Sequence, residues 1–211
     1  MAVKAVGALH GRLVFARRIR VLAERLADLI PAQSRILDVG CGDGRLDRLL
    51  LERRPDLRVE GIDVLVRPDA AIPVRPFDGT SLPCEDRSFD IVMFVDVLHH
   101  TPDPVPLLRE AGRVARGAVV IKDHCLDGPL AGPTLRLMDW VGNARHGVAL
   151  PYNYWPEARW RGTFLSLGLD IEAWIDRLGL YPWPVSLLCE RRLHFLARLR
   201  PAGSSPPAGA A

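Results

Sequence analysis

The sequence has few of the features that mark metal-stapled, disulfide-linked or membrane-spanning chains. Its four cysteines, Cys41, Cys84, Cys125 and Cys189, lie far apart and form no Cys-x-x-Cys pair. This spacing argues against a zinc site and a disulfide framework, so we expect a reducing, cytoplasmic setting and no metal site. No run of about 18 uncharged apolar residues is present, so no spanning helix is expected. Arginines interrupt the N-terminal apolar run, which argues against a secretory signal.

A strong charge of either sign is also missing. The formal net charge is +3, and residues 1–30 carry a surplus of four positive charges, so the remaining residues sum to −1. A nearly neutral body attracts polyanions weakly, so no nucleic-acid partner is expected. The apolar share of 48% in 211 residues is enough for one domain with a sizeable core.

Residues 36–44 read Ile-Leu-Asp-Val-Gly-Cys-Gly-Asp-Gly, and this stretch organises the rest of the chain. It predicts a buried strand over Arg35–Val39, a glycine turn, and a helix over Arg45–Arg53. The unpaired backbone N–H groups of such a turn face a bound ligand at the carboxyl edge of an α/β sheet. A dinucleotide fingerprint, Gly-x-Gly-x-x-Gly, requires a third glycine at position 45, where Arg45 stands.

The pattern hydrophobic-Asp-Val-Gly-Cys-Gly-x-Gly resembles the first motif of the class I S-adenosylmethionine (SAM) dependent methyltransferases. Asp63 ends the second predicted strand, and Asp78-Gly79, followed by Ser-Leu-Pro, resembles the third motif. Asp96-Val-Leu-His-His follows the apolar strand Ile91–Val95. It resembles the fourth motif of the methyltransferase type 11 branch, which includes the ubiquinone and menaquinone biosynthesis enzymes.

The resemblance implies an α/β fold. We expect a three-layer Rossmann-like sandwich around a seven-stranded, mostly parallel sheet with an antiparallel terminal hairpin. The hairpin is predicted over Leu169–Ile175 and Leu193–Leu199, although residues 170–178 are also compatible with a helix. Prolines at both ends of Ile72–Phe77 indicate an edge strand.

Four segments are predicted along the chain. Residues 1–33 form an amphipathic helical segment, 34–200 the SAM-dependent methyltransferase domain, 125–161 a substrate-side insertion with a short helix over Leu135–Val141, and 201–211 a disordered tail. The arginines of the first segment form either a solvated basic face or a lid that contacts a membrane surface or an anionic substrate.

The resemblance also implies the cofactor, SAM, and the residues that hold it. Carboxylates suit its sulfonium and ammonium groups, whereas Asp43 would repel a pyrophosphate. The predicted cofactor-binding residues are Asp38, Gly40, Cys41, Gly42, Gly44, Asp63, Val64, Asp78, Gly79, Asp96 and Val97.

Three of the six histidines, His99, His100 and His124, fall at the carboxyl ends of the fourth and fifth strands. Because imidazole titrates near neutrality, each is a candidate general base, with structural hydrogen bonding as the alternative. The predicted substrate-binding residues are Lys122, Tyr152, Tyr154 and Trp155. For the aromatic residues the alternative is that they form only the insertion's own core.

Together these features predict transfer of a methyl group to a small-molecule or lipid-like acceptor. They do not indicate which acceptor, whether oxygen, nitrogen or carbon is methylated, or the oligomeric state. One alternative is an NAD(P)-dependent oxidoreductase, against which the absence of a Tyr-x-x-x-Lys pair weighs. The other is a SAM-binding module without catalytic activity.

Overall fold

A computed structural model describes residues 2–143 and 151–203. Seven strands form a single sheet. In chain order they are β1 Arg35–Val39, β2 Arg58–Asp63, β3 Val74–Pro76, β4 Phe89–Val95, β5 Ala115–His124, β6 Leu169–Ile175 and β7 His194–Pro201.

The order across the sheet is β3-β2-β1-β4-β5-β7-β6. The first five strands are parallel, and β7 runs antiparallel to both β5 and β6. The chain therefore winds outward in both directions from the β1–β4 pair. Ligands of open α/β sheets bind at the carboxyl edge of such a switch point.

Helices cover both faces of this sheet. They are α1 Ala2–Leu29, α2 Arg45–Arg53, α3 Val105–Val114, α4 Ala131–Asn143, α5 Glu157–Ser166 and α6 Ser186–Cys189. One apolar core joins β-strand side chains to α3 and α5, and a second joins the opposite face to α1 and α2. In α1 the buried residues Leu22 and Ala23 lie about one turn before buried Leu26, so the three share one face, which docks this helix on the sheet.

The predicted fold class is confirmed. The bounds of β1, α2 and β6 agree with the expectation, and β2 ends at Asp63 as expected. The predicted edge strand β3 is at the edge but is reduced to three residues. Proline supplies no N–H to a ladder, and Pro73 and Pro76 bracket this short pairing. The strand alternative for residues 169–175 is the correct one, because Leu169 and Ile175 pair with β7.

Some elements were not anticipated. A 3₁₀ turn over Leu98–His100 follows β4, and α6 lies in the proline-rich connection before β7. The insertion's helix, α4, is nearly twice as long as predicted. Residues 144–150 of the insertion and 204–211 of the predicted tail lie outside the described residues. Within the described residues, no helix has the length and apolar character needed to cross a bilayer.

Candidate active site

A cavity of about 260 Å³ opens at the carboxyl edge of the sheet, beside the β1–β4 switch point. The glycine turn after β1 forms one wall, and the residues that follow β4 and β5 form another. Phe15, Arg18 and Ile19 of α1 close the cavity from one side, while Met138 and Asp139 of α4 close it from another. The predicted basic lid is thus in contact with the cavity, whereas its contact with a membrane stays a prediction.

The three glycines of the turn have positive φ angles but different neighbours. A Cβ added to Gly40 (φ +77°) would lie 2.6 Å from Val97, and one added to Gly44 (φ +68°) would lie 2.7 Å from Ile72. A Cβ on Gly42 (φ +62°) would meet nothing within 4 Å. Gly40 and Gly44 therefore permit internal packing, and Gly42 leaves the open space that a ligand needs.

Asp63 ends β2 and fixes this turn. Its two carboxylate oxygens accept hydrogen bonds from the backbone N–H groups of Gly42 and Leu65, each at 2.8 Å. Val64, next to it, is 63% exposed, and a Cβ on Gly79 would lie 3.2 Å from its side chain. These residues form an open ledge beside the enclosed cavity.

Asp78 lies on the same ledge, where its Oδ1 accepts the N–H groups of Thr80 and Ser81 at 2.7 and 2.8 Å. These backbone hydrogen bonds lower the pKa of Asp78. Its carboxylate is exposed. Contact of Asp63, Val64, Asp78 and Gly79 with the adenosyl part of a cofactor stays a prediction.

Asp38 of β1 and Asp47 of α2 are 2% and 0% exposed. Neither Oδ1 of Asp38 nor either oxygen of Asp47 has a hydrogen-bond donor among the described residues. Burial, together with the charge of the neighbouring carboxyl, raises the pKa of Asp38. Burial also raises the pKa of Asp47 to about 7. Asp38 is one of the residues that line the cavity, as is Gly42, so a buried acid whose Oδ1 has no donor among the described residues belongs to the cavity wall.

The residues present thus suit SAM. An open glycine position, an acid at the end of β2 and a buried acid without a partner match a ligand that carries a ribose, an ammonium and a sulfonium.

Asp96 follows β4 and also lines the cavity, but internal cations already contact its carboxylate. Arg18 of α1 and Lys122 of β5 each donate to it, and Nε2 of His124 lies 3.4 Å from Oδ1. Burial alone would raise the pKa of Asp96, but Arg18 and Lys122 lower it. The carboxylate expected to be open to the cofactor therefore anchors α1 to the sheet, and its contact with SAM stays a prediction.

His99 lies in the 3₁₀ turn with its imidazole between two carboxylates. Nδ1 is 2.6 Å from Oδ1 of Asp123, and Nε2 is 3.6 Å from Oδ1 of Asp139. Asp123 also accepts the backbone N–H of Leu98 at 2.9 Å, which fixes the turn against the end of β5. Although burial disfavours the imidazolium, the charge of Asp123 and the hydrogen bonds to Asp123 and Asp139 raise the pKa of His99 to about 9.

His124 is the opposite case. Burial and the positive charges of Lys122 and His99 lower its pKa well below the usual value, so it is neutral at pH 7. Its Nδ1 has no hydrogen-bond partner among the described residues. Nε2 of His100 lies 3.7 Å from Oδ1 of Asp139. The three predicted histidines therefore line one cavity with unequal basicity, and their catalytic role stays a prediction.

The predicted substrate-binding residues separate into two groups. Tyr154 is buried against the histidines, and its hydroxyl donates to Oδ2 of Asp139 at 2.8 Å; Tyr152 lies beside its ring. Lys122 is fully buried on Asp96, and Trp155 packs on Trp160 in the core. None of the four lines the cavity. Lys122 and Trp155 lie inside the core, where α1 covers one face of the sheet and α5 the other.

Sequence reasoning missed several residues of the site. Asp123 lies between Lys122 and His124 at the end of the fifth strand. Its strand-end position is therefore a sequence signal that predicts a carboxylate near His99. Asp139 and Arg18 come from helices whose docking the motifs do not specify. Asp47 had a local signal, since a carboxyl on the apolar face of α2 conflicts with the helix pattern.

Two overlapping groups have ligand atoms within 4.8 Å of one another, as a bound cation requires: His99 with Asp123 and His124, and His99 with His100 and Asp139. We interpret both groups as parts of the hydrogen-bond and ion-pair network of the cavity wall and not as metal sites. Three carboxylates here, Asp96, Asp123 and Asp139, are balanced by Arg18, Lys122 and protonated His99, which leaves no net negative charge for a divalent ion.

A sequence profile described as a methyltransferase domain matches residues 12–173, which include the glycine turn, the histidine turn and α4. The chain belongs to the methyltransferase domain family. SAM is the cofactor of this family, so the resemblance in the motifs is confirmed, and an NAD(P)-dependent oxidoreductase is excluded.

Two curated methyltransferases are similar over part of their length. The 27-O-demethylrifamycin SV methyltransferase of Amycolatopsis mediterranei is 32% identical over 128 residues, 53% of this chain and 47% of that protein. The ubiquinone biosynthesis O-methyltransferase of Hahella chejuensis is 32% identical over 111 residues, 47% of this chain and 44% of that protein. The chain thus spans less than half the length of these relatives.

A solved structure shows the same fold. The S-adenosylmethionine dependent methyltransferase from Mesorhizobium loti superimposes with a TM-score of 0.62 at 20% identity, covering 84% of this chain and 96% of that one.

Proposed function

We propose that this methyltransferase domain methylates a hydroxyl group of a small-molecule acceptor of the phenol or hydroquinone class, with His99 as the general base. The observation that carries the proposal is the position of His99 between Asp123 and Asp139 in the wall of the cavity that the glycine turn also lines. The names of the two relatives above, which refer to O-methylation, support an oxygen acceptor.

SAM supplies an activated methyl group, so the protein has to align the acceptor oxygen, exclude water and remove one proton. A phenol has a pKa near 10. His99, with a pKa of about 9, lies within about one unit of it, but only the neutral imidazole accepts the proton. The neutral form is the minor one at pH 7, so we expect kcat to rise as the pH rises toward 9. An aliphatic alcohol is several units less acidic, and a base of this strength would serve it poorly.

His124 fits the role of base less well. Its pKa is lowered by burial, so its neutral imidazole attracts a phenolic proton weakly. Its Nδ1 is instead suited to accept a hydrogen bond. Asp139 connects His99 to the hydroxyl of Tyr154, and this network fixes the imidazole in one orientation.

The cavity also has apolar surroundings that suit an aromatic or lipid-like acceptor. Met138 lines it from α4, and the outer face of the same helix exposes Leu137, Trp140 and Val141. An acceptor with an apolar substituent has surface to contact next to the opening.

The test is a chromatographic assay for S-adenosylhomocysteine with matched acceptors: hydroquinone and catechol against cyclohexane-1,4-diol and cyclohexane-1,2-diol, each with and without an alkyl chain. We expect turnover with the aromatic members, and a loss of about 10²–10⁴-fold in kcat for His99→Gln. Cofactor affinity, measured by calorimetry, is the control and should change little. Turnover of the aliphatic diols alone, or full activity of His99→Gln, would contradict the proposal. Cofactor binding with no turnover of any acceptor would favour the SAM-binding module without catalytic activity.

A further inference from the structure

The carboxyl groups of Asp38 and Asp47 flank the glycine turn, with Asp38 in β1 directly before it and Asp47 in α2 directly after it. Both side chains are essentially buried, and three of their four oxygens have no donor among the described residues. A buried charge without a partner is unfavourable, and two such charges side by side are more so. The fold therefore maintains a site that is incomplete without a proton or a cation.

The charge of the Asp47 carboxyl is one of the causes that raise the pKa of Asp38, so the two groups interact. Two neighbouring carboxylates repel each other, so one of them binds a proton more readily than an isolated acid does. One oxygen of the pair, Oδ1 of Asp38, belongs to a residue that lines the cavity, whereas Asp47 is sealed behind it by α2. The proton is thus held at the boundary between cavity and core.

We propose that Asp38 and Asp47 form a proton-exchanging ammonium site. In the free protein the pair holds one proton. When the primary ammonium of the cofactor's amino-acid part binds at Asp38, that proton leaves to solvent, and the single positive charge of the ammonium takes its place. Asp47 is then a positioning residue that makes cofactor binding depend on pH. The proposal rests on the SAM cofactor of the family and not on the acceptor or the base proposed above.

The charges around the pair support release of the proton only in exchange for a cation. The groups that act on it are carboxylates: Asp63 acts on Asp38, and Asp43 acts on Asp47. The Cys41 thiol lies beside them, and its own pKa is raised by burial and by these acids. Two of the arginines that line the cavity pair with carboxylates other than Asp38 and Asp47. Arg45 pairs with Asp43 at 3.3 Å, and Arg18 of α1 with Asp96; Arg67 also lines the cavity.

A raised pKa gives the expected direction. Burial raises the pKa of both acids, that of Asp47 to about 7, so the pair holds a proton in the acidic range and gives it up as the pH rises. Cofactor affinity should therefore increase by up to tenfold per pH unit as the pH rises toward about 7, and level off above it. The number of protons released should approach one per ligand at pH 6.

Two ligands separate the ammonium from the rest of the cofactor. S-adenosylhomocysteine carries the ammonium without the sulfonium charge, and 5′-methylthioadenosine carries neither. Calorimetry in buffers of different ionisation enthalpy, at pH 6.0 and 8.5, counts the protons released by each. We expect wild-type protein to release close to one proton per bound S-adenosylhomocysteine at pH 6.0 and much less than one at pH 8.5. It should release none with 5′-methylthioadenosine.

Asp47→Asn should bind S-adenosylhomocysteine without proton release and without the affinity slope. Asp86→Asn changes an exposed carboxyl that does not line the cavity, so it is the matched control and should keep both. Circular dichroism of each variant checks the fold, and Asp47→Ser provides a second substitution. The proposal is overturned if wild-type protein releases no proton at pH 6.0, if both Asp47 variants release as many as wild type, or if 5′-methylthioadenosine releases the same number. Absence of S-adenosylhomocysteine binding would overturn the site itself.

Discussion

Replacing Asp123 with Asn should lower the pKa of His99 by about three units. Oδ1 of Asp123 lies 2.6 Å from Nδ1 of His99, and the two side chains are 0% and 1% exposed. Taking the charge centres as about 4 Å apart at an effective dielectric constant of about 20, the attraction is about 4 kcal/mol. At 1.36 kcal/mol per pKa unit this is about three units. From a starting value of about 9, the pKa of His99 should fall to about 6.

The assay is a pH titration of the histidine Cε1–H resonances by two-dimensional ¹H–¹³C NMR, with His99 assigned from the spectrum of His99→Gln. Asp139→Asn is the matched control. Its Oδ1 is 3.6 Å from Nε2, so it should lower the pKa of His99 by less than Asp123→Asn does. A wild-type His99 that titrates below pH 7, or one that Asp123→Asn leaves unmoved, would refute this account of the cavity wall.

The raised pKa of His99 also makes the stability of the fold depend on pH. Because the folded pKa of His99 is raised above its unfolded value near 6.5, the folded state binds the proton more tightly. The resulting stabilisation, about 3 kcal/mol, is complete below pH 6.5 and is lost as the pH rises through about 9. Urea denaturation between pH 6.5 and 10 should show this decline in wild type and a nearly flat profile in Asp123→Asn.

Two further predictions concern the turn and the buried ion pair. Gly42→Ala should cost about 1–2 kcal/mol of stability for its positive φ and weaken S-adenosylhomocysteine binding at least tenfold. Gly40→Ala should destabilise the fold by a further 1–3 kcal/mol, roughly, because its methyl group overlaps Val97. Thermal unfolding compares the stability of the two variants, and calorimetry compares their binding of S-adenosylhomocysteine. Unchanged binding by Gly42→Ala would contradict the first prediction. Lys122→Met should destabilise the fold by about 3–5 kcal/mol in urea, since it removes a buried cation from Asp96, and a loss below 1 kcal/mol would contradict that.

The parts of the site that local sequence determines were predictable. A glycine turn after an apolar strand, and an acid at the end of the next strand, follow from backbone conformation and strand length, so the positions of Gly42 and Asp63 were anticipated. The same reasoning placed Lys122 at the carboxyl edge, and it does lie near there. The orientation of the Lys122 side chain depends on the carboxylate with which its ammonium pairs. That carboxylate is Asp96, which was expected to face the cofactor.

The parts that depend on helix docking were not predictable from one sequence. Asp139 reaches His99 only because α4 lies over the cavity, and Arg18 reaches Asp96 only because α1 packs across the sheet. Neither contact has a sequence spacing that a motif describes. The basic residues of α1 suggested a solvated face or a lid, yet one of them is a structural partner of a strand-end carboxylate.

The two halves of the cavity differ in charge, and this difference explains where a cationic cofactor and a neutral acceptor belong. On the histidine side, each carboxylate has a cation from the chain itself, so a further positive charge gains little there. On the glycine side, Asp38 and Asp47 have no such partner among the described residues, and Asp63 accepts hydrogen bonds from the backbone N–H groups of Gly42 and Leu65. A cation therefore binds most favourably beside the glycine turn, and the acceptor is left the side where His99 can take its proton. Asp123 lies 2.6 Å from Nδ1 of His99, whereas Nε2 lies 3.6 Å from Asp139, beyond hydrogen-bonding distance. In the proposed reaction Nε2 is therefore the nitrogen that accepts the proton of the acceptor.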